Sequence, residues 1–194
     1  MKHSRHLIPR LLIECILIVL SVVLALAVNN WNVQRQNYAR AREARAAFIS
    51  EIATNQKMLA SDNMFGHHRR LQKIYAQAMS VHSADPQAIF ETGLHAPTFA
   101  DAAWRSFSTS TIFADFSVSE VILLSDIYHA QENIERRAES FLVILTSPRA
   151  DRETAEYQRD SAVSIALLLN DLVPAEERLV ARYEEGLQRL QYRR

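Results

Sequence analysis

The chain has 194 residues, and its 22 Lys and Arg residues balance its 22 Asp and Glu residues, which argues against a nucleic-acid partner. It holds 3 glycines and 5 prolines among many Ala, Leu, Arg, Glu and Gln residues, a composition typical of long helices and an all-α fold. The single cysteine, Cys15, lies in an apolar run, so the rest of the chain has no disulfide, thiolate nucleophile or Cys-based zinc site.

The sequence of the N-terminal region predicts a membrane anchor. Residues 1–10 form a short basic tail, and residues 11–28 form an apolar run. As a helix, a run of 18 residues covers about 27 Å, which matches the hydrocarbon thickness of a bilayer. We therefore predict one transmembrane helix over 11–28 in a lipid bilayer, with Arg10 and Trp31 at the two membrane interfaces.

A cleaved signal peptide is the alternative interpretation of this region. The basic tail precedes an apolar stretch, and Ala25-Leu26-Ala27 fits the small-residue pattern of a cleavage site. The apolar run nevertheless continues through that site without a helix breaker, and Trp31 follows as in an aromatic belt. These two features favour the anchor.

One face of the predicted span carries polar or small side chains. Glu14, Ser21, Ala25 and Asn29 recur at spacings of seven, four and four, which aligns them on one side of a helix. Such a face permits close contact with a partner helix in the membrane. For Glu14 an alternative remains: its carboxylate can extend toward Arg10 and the lipid headgroups instead.

The span and the residues after it resemble a known family. Glu14 is followed by ILIVLSVVLALAVNNWNVQRQ, and Glu43, Phe48, Glu51 and Asn55 lie downstream. This pattern resembles a family of uncharacterised bacterial single-span membrane proteins, a domain of unknown function, whose members share an E-I-I-x-V-x-x-G-I-x-x-A-L-x-x-N-N-W-N-x-x-R block. Ser21 or Val22 stands where members carry Gly. The resemblance implies a membrane-anchored helical protein and implies no activity.

The orientation of the span follows from its flanking charges. Arginines flank both sides, but a short basic tail before a first apolar segment usually stays in the cytoplasm. We therefore expect a single-pass protein of the bacterial inner membrane whose large domain is periplasmic.

Residues 29–194 are predicted to form a soluble all-α bundle domain, beginning with a long helix that continues from the span. Apolar residues at helical spacing favour a buried bundle face over a dimeric coiled coil, and Ser61-Asp62-Asn63 with Gly66 predicts a break. That face comprises Trp31, Tyr38, Ala41, Phe48, Ile52, Asn55 and Leu59.

Six further helical segments are expected after the break, the first where Leu71, Ile74, Tyr75 and Ala78 resume helical spacing up to about His82. A short piece spans Gln87 to Thr92, a helix capped by Thr98 and Asp101 follows, and Ser117-x-x-Glu120 is a capping box for a long helix that ends before Pro148. Asp151 opens another helix and Pro174 the last. The final three helices are expected to pack antiparallel on the long one.

Few residues form a pattern that indicates a catalytic or metal-binding site. Asp126-x-x-His129 puts a carboxylate and an imidazole on one helical face, but a di-iron bundle needs a second such pair, and the chain has none. His67, His68, His82 and His95 are predicted to lie at the surface. We find no catalytic motif and predict neither a cofactor nor a metal. An aromatic group either closes one end of the bundle or lines a pocket for a small apolar ligand; it comprises Trp104, Phe107, Phe113 and Phe116.

These observations predict a membrane-anchored, non-enzymatic interaction protein. It would serve as a scaffold or accessory subunit of a membrane assembly, or form a homo-oligomer through the face of Glu14, Ser21, Ala25 and Asn29. One alternative is a sensor-like helical bundle that binds a ligand beside Trp104 and works through a partner. A second alternative is a metal-dependent enzyme at Asp126 and His129.

Overall fold

The computed structural model describes residues 7–81, 93–146 and 155–192. Within these ranges the protein is helical and has no strand, in agreement with the predicted all-α class. The long helices are α1 (Leu7–Leu59), α2 (His67–Val81), α4 (Val118–Thr146) and α5 (Ala155–Tyr192). Shorter elements are a π-helix at Asp62–Gly66, α3 (Ala102–Phe107) and a 3₁₀-helix at Thr111–Asp115.

The predicted span lies in α1, which continues without interruption into the following residues as expected. Its apolar stretch is long and apolar enough to cross a membrane, and none of that stretch is buried inside the protein. The residues predicted to form the buried bundle face differ in burial. Phe48, Ile52 and Leu59 are fully buried, whereas Trp31 is 64% and Tyr38 71% exposed. The buried bundle face is therefore limited to the later part of α1.

The chain separates into two compact units, Met1–Glu43 and Ala44–Arg194. Residues 29–43, which the sequence assigns to the bundle domain, fall in the first unit because their side chains up to Arg40 are exposed.

The predicted break after α1 is present as the π-helix Asp62–Gly66. The predicted helix from Gln87 to Thr92 lies outside the described residues. Asp101 is the N-cap residue of α3, but its side chain makes no capping hydrogen bond and instead pairs with Arg105 at 3.4 Å. The prediction is therefore correct in placing Asp101 at the start of this helix, but wrong for Thr98, which lies three residues before the N-cap, and for the side-chain hydrogen bond.

The predicted capping box of α4 is confirmed. The Ser117 backbone N–H donates to Oε2 of Glu120 at 2.7 Å, and the Glu120 N–H donates back to Oγ of Ser117 at 3.3 Å. Two N–H groups without helical partners are thereby satisfied at the start of the helix.

The prediction that Pro174 opens a separate helix is wrong. Pro174 lies inside α5, which runs through it without a break. An internal proline removes one backbone hydrogen bond and crowds the preceding turn. Here the chain stays helical because Leu172, Val173 and Leu179 are buried on both sides of the proline, and tertiary packing outweighs the local preference.

Helix directions within the second unit follow from four contacts. Arg45 pairs with Glu120 and Glu51 with Tyr128, so α4 runs parallel to α1 and not antiparallel as predicted. Since Gln131 contacts Tyr183 whereas Ile127 faces Gly186, α5 runs antiparallel to α4.

Candidate functional site

The predicted intramembrane face lies on the exposed surface of α1. Glu14, Ser21, Ala25 and Asn29 are all exposed. The Ser21 hydroxyl donates a hydrogen bond to the Leu17 carbonyl of its own helix at 2.7 Å. Ser21 therefore offers small size to a neighbouring helix, since its donor is already used.

Trp31 and Arg10, the two residues predicted at the membrane interfaces, both lie in α1. Trp31 is exposed, as a residue of an aromatic belt would be before insertion into lipid. Arg10 lies in α1, but its side chain is outside the described residues.

The predicted aromatic group is brought together around Phe48. The Phe48 ring centroid lies 5.8 Å from Phe107, 6.0 Å from Phe113 and 6.1 Å from Phe116. Trp104 joins at the edge, stacked on Tyr128 at 4.8 Å. Edge-to-face and stacked pairs at these distances are favourable packing arrangements. The geometry corresponds to the first of the two predicted roles, in which these rings close one end of the bundle.

A shallow groove of about 480 Å³ lies beside this aromatic group. Of the four predicted pocket residues, Phe107 alone lines it, and Trp104, Phe113 and Phe116 do not. The remaining lining is mostly small: Ala47, Ser50, Glu51, Thr54, Ala100, Ala102, Ala103 and Ser106.

Polar side chains from α1 hold the segment at 99–103, which leads into α3 and includes its first two residues. Asn55 donates to the Ala100 carbonyl at 2.8 Å and accepts from the Ala100 N–H at 2.9 Å. Glu51 accepts the Ala103 N–H at 2.8 Å through one oxygen and the Tyr128 hydroxyl at 2.5 Å through the other. Burial, together with the hydrogen bond to Glu51, raises the pKa of Tyr128, which keeps it a donor. These contacts satisfy backbone groups that have no helical partner.

Sequence reasoning did not anticipate the residue that completes this support from α4. Glu135 accepts the Phe99 N–H at 2.6 Å. Glu51 and Asn55, which the family resemblance singled out, thus anchor the same segment from α1, whereas Phe48 packs against the rings of the aromatic group. Their part in this unit is structural.

The prediction of surface histidines is wrong for His67 and His68, which are buried; His95 is exposed, and His82 lies outside the described residues. Nδ1 of His68 lies 2.8 Å from Oε1 of Glu176, and Nε2 lies 2.7 Å from the Leu94 carbonyl. Both partners are acceptors, so both ring nitrogens must donate and His68 is an imidazolium. Adjacent histidines are buried together because α5 and the segment at 93–95 both cover α2.

The two histidines have opposite pKa shifts. Burial opposes the charge of His68, but the hydrogen bonds and charge of Glu176 and the Leu94 carbonyl raise its pKa above the usual value. Burial lowers the pKa of His67, whose ring stacks on His95 at 4.5 Å. His67 therefore stays neutral beside a charged His68, and its Nε2 donates to the Gly93 carbonyl at 2.7 Å.

Asp126 and His129 line a cavity of about 200 Å³ between α4 and α5. Three arginines line the same cavity, Arg137 from α4 and Arg178 and Arg182 from α5. Within the described ranges no group of three or more His, Cys, Asp or Glu side chains could hold a metal ion. Three guanidinium groups would also repel a divalent cation, so the surroundings of this pair disfavour a metal site.

No family model, curated protein or solved structure matches the chain.

Proposed function

We propose that this protein is a single-span membrane protein that acts by binding another membrane protein, as an accessory subunit or scaffold, and not by catalysis. The observation that carries the proposal is the apolar stretch of α1, none of which is buried inside the protein. Its large side chains, from Ile13 to Val28, are each more than half exposed.

Exposure on this scale favours a bilayer as the surroundings of this helix. Isolated apolar side chains are common on protein surfaces, but a continuous apolar helix in water is not. Each Leu, Ile or Val at the centre of a span favours insertion by about 0.3 to 0.6 kcal/mol. Added over this stretch, the gain is several kcal/mol, which exceeds the cost of one acidic group close to an interface.

The partner-binding surface in this proposal is the face formed by Glu14, Ser21, Ala25 and Asn29. Lipid tails are as apolar as leucine, so helices associate in membranes through close packing of small residues and through polar contacts. The face supplies both: Ser21 and Ala25 allow close approach, and Glu14 and Asn29 are the polar groups above and below them.

The described polar groups of the second unit support an interaction role over catalysis. Glu51, Asn55 and Glu135 accept backbone N–H groups of one segment, and Oε1 of Glu176 pairs with the buried imidazole of His68. These contacts hold the bundle together. The resemblance at Glu14 to Asn55 to a family of single-span membrane proteins stays a prediction that is consistent with this role.

The proposal is tested by extracting the full chain from bacterial membranes in a mild detergent and identifying co-purifying proteins by mass spectrometry. Ser21→Leu fills the face and should reduce a specific partner at least about tenfold relative to bait. Val23→Leu is the matched control, because residue 23 lies on the opposite side of the helix at about 100° per residue. Equal recovery with both variants, or recovery of the chain as a monomer alone, would contradict the proposal.

The anchor and its orientation are tested separately. Alkaline washing should leave the intact chain in the membrane pellet, whereas a cleaved signal would release a shorter form whose N-terminus lies near Ala27. A reporter that is active only in the periplasm, fused after Arg194, should be active if the basic tail stays in the cytoplasm.

A further inference from the structure

We infer that the cavity between α4 and α5 is a binding site for a small phosphate-bearing anion, held by Arg137, Arg178 and Arg182. This inference concerns the second unit alone and goes beyond the proposed membrane interaction. It stands whether or not α1 binds a partner.

The three arginines differ from other exposed arginines of the same helices. Arg136 pairs with Glu132 at 2.9 Å and Arg189 with Glu185 at 2.6 Å, each with an acidic residue four positions earlier. In the part of the chain that the structure describes, none of the three cavity arginines has such an ion pair. Their charges are therefore left available to a ligand.

The spacing of Arg178 and Arg182 along α5 also favours binding of an anion. Arg178 and Arg182 are four residues apart, which places two like charges on one helical face, an unfavourable arrangement. Arg182 is held in position because its Nη1 donates to the Asp126 backbone carbonyl at 3.2 Å. Arg137 reaches the same cavity from α4, which runs antiparallel to α5. An anion bridging the two helices would relieve this repulsion.

The size of the cavity limits the ligand. At about 200 Å³ it is smaller than the roughly 300 to 1,000 Å³ typical of sites for drug-sized molecules. A phosphate group fits such a space, and guanidinium groups bind phosphate oxygens through paired hydrogen bonds. Asn133 and His129, which also line the cavity, can add donors.

Asp126 gives the site a basis for selectivity. Asp126 lines the cavity, and its carboxylate can only accept hydrogen bonds when ionised. Near neutral pH, phosphate carries a hydroxyl that can donate to this carboxylate, whereas sulfate carries none. A sulfate would instead place its oxygen against the Asp126 charge. We therefore expect the site to prefer phosphate to sulfate of equal charge.

The test is calorimetric titration of the full chain in nanodiscs of zwitterionic lipid with inorganic phosphate at low ionic strength. Arg178→Gln and Arg182→Gln should each weaken binding about tenfold. The matched controls are Arg136→Gln and Arg189→Gln, which remove the same charge from the same helices outside the cavity and should change affinity less than about twofold. Asp126→Asn should bring sulfate affinity close to phosphate affinity. Thermal unfolding of each variant checks that it is folded.

The source of the phosphate group is resolved by a second arm. Nanodiscs that contain phosphatidic acid should leave phosphate binding unchanged if the ligand is a free anion, and should abolish it if a lipid headgroup occupies the cavity. Either outcome supports the assignment. Absence of saturable phosphate binding at millimolar concentration in the first arm, together with no phosphatidic acid binding that depends on Arg178, would overturn it. Equal losses in cavity variants and controls would also overturn it.

Discussion

His68 and Glu176 form a buried ion pair between α2 and α5, with Nδ1 of the imidazole 2.8 Å from the carboxylate and both side chains 0% exposed. The two residues are 108 positions apart in the chain. This pair, with the Leu94 carbonyl on the other ring nitrogen, joins α2, α5 and the segment at 93–95.

The pair makes stability depend on pH in a defined direction. The pKa of His68 is raised above its ordinary value of 6.5, so the pair's contribution is fully present below pH 6.5 and is lost as the pH rises through the folded-state pKa. The difference in free energy of unfolding between the wild type and His68→Gln should therefore be largest below about pH 6.5 and should shrink as the pH rises above it. Urea unfolding at several pH values measures it.

The depressed pKa of His67 acts in the opposite sense, but His67 is present in both proteins and its contribution largely cancels in the difference. His129→Gln, which removes an exposed imidazole from the same protein, is measured alongside as a control for histidine removal. A difference that stays constant, or grows as the pH rises, would contradict the assignment of an imidazolium.

Removal of the carboxylate should be more damaging than removal of an exposed one. Glu176→Ala leaves a buried imidazolium without its counter-charge and should cost about 3 kcal/mol or more. Glu177→Ala removes the neighbouring exposed carboxylate and should change stability by less than about 0.5 kcal/mol. Similar losses in the two variants, measured by urea unfolding, would argue against the buried pair.

Removing the amide of Asn55 should lower the free energy of unfolding more than the small size of the side chain suggests. Asn55→Ala leaves the N–H and carbonyl of Ala100 without their side-chain partner, and we expect a loss of about 2 kcal/mol or more. Thr54 is an exposed neighbour that bonds only to its own helix, so Thr54→Ala should stay within about 0.5 kcal/mol of the wild type. Faster hydrogen exchange at residues 99–103 in Asn55→Ala alone would locate the effect.

Phe48 is the ring on which the aromatic group converges, and Phe48→Ala should cost about 3 to 5 kcal/mol. Ile122→Ala, at an exposed apolar position of α4, should be close to neutral. Denaturant unfolding compares the two. A loss below about 1 kcal/mol for Phe48→Ala would mean that the rings enclose space that can collapse, as a ligand pocket would.

Gly186 of α5 lies against Ile127 of α4. A Cβ at this position would lie 2.8 Å from Cδ1 of Ile127, which is fully buried, so Gly186→Ala should destabilise the bundle by about 1 to 3 kcal/mol despite its higher helix propensity. Ile127→Val removes that methyl group and should reduce the cost of Gly186→Ala. A double-mutant cycle measures this coupling, and additive losses would contradict the contact.

The features that the sequence predicted correctly depend on contacts between residues close together in the chain. Ser117 and Glu120 form a capping box because both partners lie within one turn, and the break at Gly66 follows from local turn residues. The rule for Pro174 failed because buried leucines on either side keep α5 continuous.

The relationships that define the second unit join distant residues. No local pattern connects His68 to Glu176 or Arg137 to Arg178, since their proximity depends on how α2, α4 and α5 pack. Asp126 and His129 were recognised as a pair, but the arginines that change the chemistry of their surroundings lie on another helix or a further turn away. The aromatic group could be identified, whereas its centre at Phe48 could not.

The central claim is that one face of α1 contacts a protein in the membrane. Photo-crosslinking in living cells tests it most directly, with a photoreactive residue placed at Ser21 or Ala25, or at Ile16 or Val23 on the opposite side of the helix. We predict an adduct of defined mass from positions 21 and 25, and lipid adducts alone from positions 16 and 23. Lipid adducts alone from all four positions, or the same protein adduct from all four, would contradict the claim.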